Sequence, residues 1–137
     1  RVLTALAKAA SADNRPVRTY LRDVWRFRGG TWTRMADLPA PVAAAATPAP
    51  VFEQGLYLVG GDDGRQVGVA PSAHAGFSRH LLRYDIAADR WIAAGDLPHE
   101  APVTVPTAPW RGGVALVSGE VRPGVRTPRV FLLQPGD

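Results

Sequence analysis

The chain has 137 residues, of which 46% are hydrophobic and 20% are charged, and these values fit one globular domain. It has no cysteine, which excludes a disulfide framework, a thiolate metal site and a cysteine nucleophile. No apolar run reaches the roughly 18 residues that a membrane-spanning helix needs, so we expect no membrane partner. The chain starts at Arg1 without a charged-then-apolar leader, so an export signal would have to lie outside this sequence and localisation stays open.

The formal net charge is +4, and Lys8 is the only lysine among the 16 basic residues. Nucleic-acid binders cluster their basic residues along a face, whereas most arginines here are scattered and interleaved with aspartate, as in Asp89-Arg90. We therefore expect no nucleic-acid partner. A tighter cluster of Arg122, Arg126 and Arg129 is better suited to a small anionic ligand.

Predicted secondary structure changes after residue 17. Residues 1–17 have no assignment beyond a short helix or loop, since the Ala-rich stretch 2–12 lacks helix caps and a partner face. From residue 18 onwards, short apolar or alternating runs lie between turn residues, which is typical of β-strands. The clearest of these runs are residues 25–27, 56–59, 82–84, 114–117 and 130–133.

The strand region contains an internal repeat. Trp91 lies 59 positions after Trp32, and the Asp-Leu-Pro turn at 96–98 lies 59 positions after the one at 37–39. The strand at 58–61, which ends in glycine, matches residues 116–119, where a one-residue deletion in the preceding turn shortens the spacing by one. Repeats of this length indicate a propeller or array, in which each tryptophan packs between neighbouring units.

The repeated order is a short strand, a double glycine, an aromatic pair and a tryptophan, which resembles the Kelch repeat of β-propellers. In the third unit no tryptophan strand follows the last strand, 130–133. We predict an all-β fold with about two and a half four-stranded blades over residues 18–137, the C-terminal part of a larger propeller ring. The remaining blades would then be a partner of this chain, and the N-terminal strand of the intact protein would close the ring. The alternative is a β-sandwich with glycine-rich turns.

The third unit differs from the others in the loop that follows its glycine turn. Glu120 stands where the second unit has Asp62, Arg126 follows six residues later, and Pro123-Gly124 between them predicts a turn. A carboxylate and a guanidinium on one tight loop can face a common ligand such as a sugar acid. The alternative is a structural ion pair of Glu120 with Arg126 or Arg122.

The stretch 119–127, Gly-Glu-Val-Arg-Pro-Gly-Val-Arg-Thr, closely resembles the signature loop of the Kelch-type N-acetylneuraminate epimerases, the sialic acid mutarotases. Residues 60–64 and 74–79 are similar to the cyclically permuted branch of that family. The resemblance implies a six-bladed propeller and an isomerase that interconverts sugar anomers, with Glu120 and Arg126 as the catalytic pair. It also implies a small-molecule sugar or sugar acid as partner, and a periplasmic or secreted location.

Three further residues, Arg122, Arg79 and His80, are predicted to bind substrate. For Arg79 and His80 the alternative is that they lie on a solvent-exposed loop and do not bind. We expect neither a cofactor nor a metal, because the six-residue spacing of His74 and His80 is no recognised zinc pattern. Asp62 and Asp63, followed by a glycine after a strand, predict a turn, with a cation site as the alternative. The alternative to an enzyme is a non-catalytic Kelch module that binds a glycan or a protein.

Overall fold

The computed structural model describes residues 18–53 and 55–134, and all regular structure in these ranges is β. The strands are β1 (Val24–Arg28), β2 (Thr31–Met35), β3 (Val51–Phe52), β4 (Gly55–Gly61), β5 (Ser78–Asp85), β6 (Arg90–Asp96), β7 (Thr107–Trp110), β8 (Gly113–Val117), β9 (Glu120–Arg122), β10 (Val125–Arg126) and β11 (Val130–Leu133). Every strand predicted from the sequence is present. The helix or loop predicted for residues 2–12 lies outside the described residues.

The described strands form four antiparallel sheets. The second unit is a four-stranded sheet in the order β3-β4-β5-β6, the first unit is the β1-β2 hairpin, and the third is β7-β8-β11 with β8 in the middle. Strands β9 and β10 form a separate hairpin. This is an all-β architecture of several antiparallel sheets, consistent with part of a β-propeller.

The sequence repeat corresponds to a repeat in space. Strand β11 pairs with β8 as β5 pairs with β4, so the third unit reproduces the middle of the second. Phe27 stands opposite Trp32 with ring centroids 4.9 Å apart and planes at 42°. Tyr84 stands opposite Trp91 with the same separation and angle. The aromatic strand and the tryptophan strand of the first and second units are therefore joined by the same packing contact.

The hydrophobic core lies between the second and third units, where burial of apolar surface gives the main stabilisation. Its buried members are Ala46, Val59, Leu97, Ala101, Val105 and Leu116. Val59 is on β4 and Leu116 on β8, and three of the others come from the segment 97–105 that connects the two sheets. This packing fixes how the ends of β4 and β8 face each other.

Equivalent positions of the second and third units differ in burial. Val59 and Val117 both directly precede a glycine turn, yet Val59 is 0% exposed and Val117 is 55% exposed. The third unit covers Val59, whereas no described residues cover the face on which Val117 pairs with Val130. Val130 and Leu132 alternate with inward-facing residues on β11 and share this open apolar face.

The first and second units are tied by hydrogen bonds around Ala36. Its N–H donates to Asp89 Oδ1 at 2.8 Å, and its carbonyl accepts from Trp91 Nε1 at 3.0 Å. The Tyr84 hydroxyl donates to the same carboxylate oxygen of Asp89. Burial, and next the bond to Asp89, raise the pKa of Tyr84 to about 12. The Tyr84 bond, and next the Ala36 N–H, lower the pKa of Asp89.

The raised pKa of Tyr84 makes stability depend on pH in alkaline solution. Between pH 10 and about 12 the folded state keeps a proton that the unfolded state loses, so the free energy of unfolding falls as the pH rises. We expect Tyr84→Phe to remove this part of the decline, and to cost about 1–3 kcal/mol at neutral pH because Asp89 loses a donor. Urea unfolding of both proteins at pH 8, 10 and 12 measures this. Parallel pH dependence in the two proteins would contradict it.

Candidate functional site

The loop predicted to carry the chemistry is the β9-β10 hairpin. Arg122 pairs with Val125 across the predicted Pro-Gly turn, and Arg126 pairs with Glu120 after a bulge. Gly124 has a φ of +73°, which glycine adopts without strain, and its N–H donates to Glu120 Oε1 at 2.7 Å. The turn predicted at Pro123-Gly124 is confirmed. One carboxylate oxygen of Glu120 stabilises this turn by accepting the Gly124 N–H.

Backbone hydrogen bonds hold the hairpin against the rest of the structure. Val103 N–H donates to the carbonyl of Glu120 at 2.8 Å, and Glu120 N–H donates back to Val103 at 3.3 Å. Phe77 N–H donates to the carbonyl of Val121 at 3.1 Å, which joins the hairpin to the end of the long β4-β5 loop. These backbone bonds fix the position of Glu120 between the second and third units.

The structure does not form the ion pair considered for Glu120. No nitrogen of Arg122 or Arg126 lies within 4.0 Å of its carboxylate, although Arg126 stands opposite Glu120 in the hairpin. Glu120 Oε2 accepts no hydrogen bond from any described residue. One oxygen of this half-buried carboxylate is thus available to a ligand.

Glu120 opens into a cavity of about 370 Å³ between the second and third units. The walls come from the residues before β1, the β4-β5 loop, the segment before β7 and the hairpin. Polar and charged side chains among the lining residues are Arg18, Tyr20, Asp62, Gln66, His74, Thr104 and Glu120. The volume and the mixed charge fit a small polar ligand.

Asp62, the repeat equivalent of Glu120, lines the same cavity but is fully engaged. Its Oδ2 accepts from the Tyr20 hydroxyl at 2.7 Å, and its Oδ1 accepts from Gly64 N–H at 2.9 Å. The bond to Asp62 is the main cause that raises the pKa of Tyr20. The turn predicted at Asp62 is confirmed, and of the two equivalent carboxylates only Glu120 keeps an oxygen without a partner among the described residues.

The β4-β5 loop brings His74 and Gln66 into the cavity wall, and neither residue was predicted as part of the site. His74 is 4% exposed and its Nδ1 accepts from Gly76 N–H at 3.1 Å. The sequence signal that could have located them is the loop's similarity to the permuted branch at residues 74–79. Tyr20 and Arg18 were also not predicted, because they lie before the first recognised strand.

The other predicted site residues, catalytic Arg126 and the substrate-binding Arg122, Arg79 and His80, do not line the Glu120 cavity. Arg122 is half-buried with its Nε buried and unpaired among the described residues, and Arg126 is exposed. Arg79 is also exposed. His80 lines a neighbouring cavity of about 320 Å³ and its Nδ1 lies 2.5 Å from Asp96 Oδ1. His74 also lines that second cavity and so lies between the two.

The described residues contain no group of three or more His, Asp or Glu side chains that could hold a metal ion. Among them no helix is long and apolar enough to cross a bilayer. The polar groups around the Glu120 cavity include a carboxylate, which accepts hydrogen bonds, a guanidinium, which donates them, and an imidazole and an amide, which can do both. This set can bind and deprotonate a hydroxylated, anionic small molecule.

Comparison with known proteins supports the class of fold that these sheets define. No family model matches the sequence, and no curated protein matches it. The chain is similar to the solved structure of YjhT, with a TM-score of 0.62 and 19% sequence identity. The similarity covers 82% of this chain and 43% of that one, so the chain spans less than half of the structure that it matches. At this identity the likeness concerns the fold and indicates a distant relation.

Proposed function

We propose that this chain is part of a sugar mutarotase, an isomerase that interconverts the anomers of a sialic acid or a related sugar acid. The observation that carries the proposal is the Glu120 carboxylate, which Gly124 holds through one oxygen, which has no partner for the other oxygen among the described residues, and which belongs to a residue that lines a 370 Å³ cavity. The resemblance of its loop to the mutarotase signature supports the same function. The structural similarity to YjhT, at 19% sequence identity, supports the class of fold and not the activity.

We further propose that residues 18–137 supply about two and a half blades of a six-bladed Kelch ring. The first unit has two strands in the described residues, the third has three, and only the second has four. The open apolar face around Val117, at a position that is buried in the second unit, is where the next blade would pack. The remaining blades would then cover this face and add side chains to the site.

The reaction needs little from the protein. One proton leaves the anomeric hydroxyl, the bond between the anomeric carbon and the ring oxygen breaks, and the ring oxygen gains a proton; closure on the other face reverses these steps. Glu120 Oε2 would take the first proton and return it to the ring oxygen. A positioned acid–base group of this kind contributes roughly 10²–10⁴-fold.

Arginine side chains would hold the carboxylate of the sugar acid. Arg126 stands opposite Glu120 on the hairpin, and Arg18 lines the cavity wall. A planar guanidinium binds a carboxylate through two parallel hydrogen bonds, which orients the anomeric centre as well as attracting the ligand. Arg122, Arg79 and His80 would contribute to the rim of the site.

The proposal is tested by proton NMR on freshly dissolved N-acetylneuraminate with the full-length protein. We expect the anomers to reach equilibrium faster than in buffer, at a rate proportional to the protein concentration. Equilibration at the buffer rate would contradict the enzyme. Saturable binding of the sugar without acceleration would favour the non-catalytic glycan-binding module instead.

A further inference from the structure

We infer that His74 donates a hydrogen bond through Nε2–H to the substrate oxygen on which negative charge develops, next to the base Glu120. This inference rests on the proposed function and adds a second catalytic side chain to it. The predicted site residues did not include His74, which the β4-β5 loop brings to the cavity.

The tautomer of His74 follows from its local contacts. Its Nδ1 accepts the Gly76 N–H at 3.1 Å, so this nitrogen carries no proton in the neutral ring and the proton is on Nε2. The residue is 4% exposed and lines the Glu120 cavity. No described residue accepts a hydrogen bond from Nε2, and this nitrogen keeps some accessible surface although the residue is buried, so the donor is available to a ligand.

The ring of His74 is held in place by its surroundings. Gln66 Nε2 donates to the carbonyl of Gly76 at 2.9 Å, and Gln66 Oε1 accepts from Ala75 N–H at 2.7 Å. The Phe77 ring packs edge-on against the imidazole, with centroids 5.1 Å apart. Phe77 also bonds to Val121, one residue from Glu120, so the histidine and the glutamate belong to one connected framework.

Gly76 shows how closely the loop is packed behind His74. Its φ is +102°, and a Cβ there would lie 2.8 Å from Glu100 Cγ and 3.7 Å from the carbonyl oxygen of Val121. The two hydrogen bonds of Gln66, to the Ala75 N–H and the Gly76 carbonyl, restrain the backbone on both sides of the N–H that bonds to the imidazole. A donor that does not move during the reaction stabilises developing charge more than a mobile one.

The chemistry suits a neutral imidazole. When Glu120 removes the anomeric proton and the ring bond breaks, the electron pair of that bond goes to the ring oxygen. A neutral Nε2–H can hydrogen-bond to this oxygen without giving up its proton, and Glu120 then returns the proton that it took. A preorganised donor in such a role is worth roughly 10²–10³-fold in kcat.

Two substitutions separate this role from a structural one. His74→Gln keeps an N–H donor near the position of Nε2, whereas His74→Asn keeps an acceptor for Gly76 N–H and loses the donor. We expect kcat for N-acetylneuraminate anomerisation to fall roughly 10²–10³-fold in His74→Asn and less than about 10-fold in His74→Gln, with KM little changed. The opposite order, or no change in either variant, would overturn the inference.

A second readout covers the case in which both variants lose activity or stability. In the wild-type protein with ¹⁵N-labelled histidine, long-range proton–nitrogen spectra should show Nε2 protonated, and its signal should shift on addition of N-acetylneuraminate. An unchanged Nε2 signal at saturating sugar would overturn the inference. Loss of the proposed function would look different, because the wild-type protein would then not accelerate anomerisation at all.

Discussion

Replacing Glu120 by glutamine is expected to slow protein-catalysed anomerisation by roughly 10²–10⁴-fold, the contribution of a positioned acid–base group. Glutamine keeps the length and shape of the side chain, and its amide oxygen can still accept the Gly124 N–H that glutamate accepts at 2.7 Å. It cannot take a proton from the anomeric hydroxyl. The loss should therefore be in kcat, with a melting temperature close to that of the wild-type protein. Proton NMR of the anomers and a thermal melt give both values.

Glu53→Gln is the matched control, because the same change is made at an exposed position outside the cavity. It should leave the anomerisation rate within about twofold of the wild-type rate. If Glu120→Gln equilibrates the anomers as fast as the wild-type protein, Glu120 is not the base. The hairpin would then have only a structural or binding role.

Gly60→Ala is expected to be the most destabilising of the substitutions considered for this chain, at about 2–5 kcal/mol. Gly60 has a φ of +60°, and a Cβ there would lie 2.2 Å from the Cβ of Ala101 and 2.8 Å from the carbonyl oxygen of Ser78. Left-handed backbone costs an L-residue about 1–2 kcal/mol, and overpacking the core costs about 1–3 kcal/mol more. Urea unfolding measures the sum.

The control is Gly29→Ala in the turn between β1 and β2. Gly29 has nearly the same φ, +57°, but nothing lies within 4 Å of an added Cβ. Gly29→Ala should lower the free energy of unfolding only by the cost of the left-handed backbone, about 1–2 kcal/mol. Equal losses at the two positions would show that the close approach of Ala101 and Ser78 to Gly60 adds nothing to the cost of the substitution.

Features set by local sequence could be predicted without the structure. The turn at Pro123-Gly124 depends only on residues next to it in sequence, and so it is predictable. The same holds for the turn at Asp62, whose carboxylate accepts a hydrogen bond from the backbone N–H two residues further on. The predicted β-strands are confirmed because they too depend on a local sequence pattern. Alternating or glycine-bounded apolar residues fit a pleated sheet wherever that sheet lies.

Features set by distant contacts could not be predicted. Asp62 and Glu120 occupy equivalent positions, but Asp62 is engaged by Tyr20, which lies 42 residues away in sequence. His74 stands in a loop without strand or helix pattern, and its burial follows from packing against Phe77 and the hairpin. A sequence repeat indicates which positions are equivalent, but the burial and hydrogen-bond partners of each position depend on residues that are distant in sequence.

A crystal structure of the full-length protein with N-acetylneuraminate bound tests the central claim most directly. We expect the sugar in the cavity between the second and third units, with its anomeric hydroxyl within hydrogen-bond distance of Glu120 Oε2. Its carboxylate should contact an arginine of the cavity or the hairpin. A sugar bound elsewhere, with Glu120 Oε2 facing solvent and no ligand atom, would contradict the assignment of this cavity as the active site.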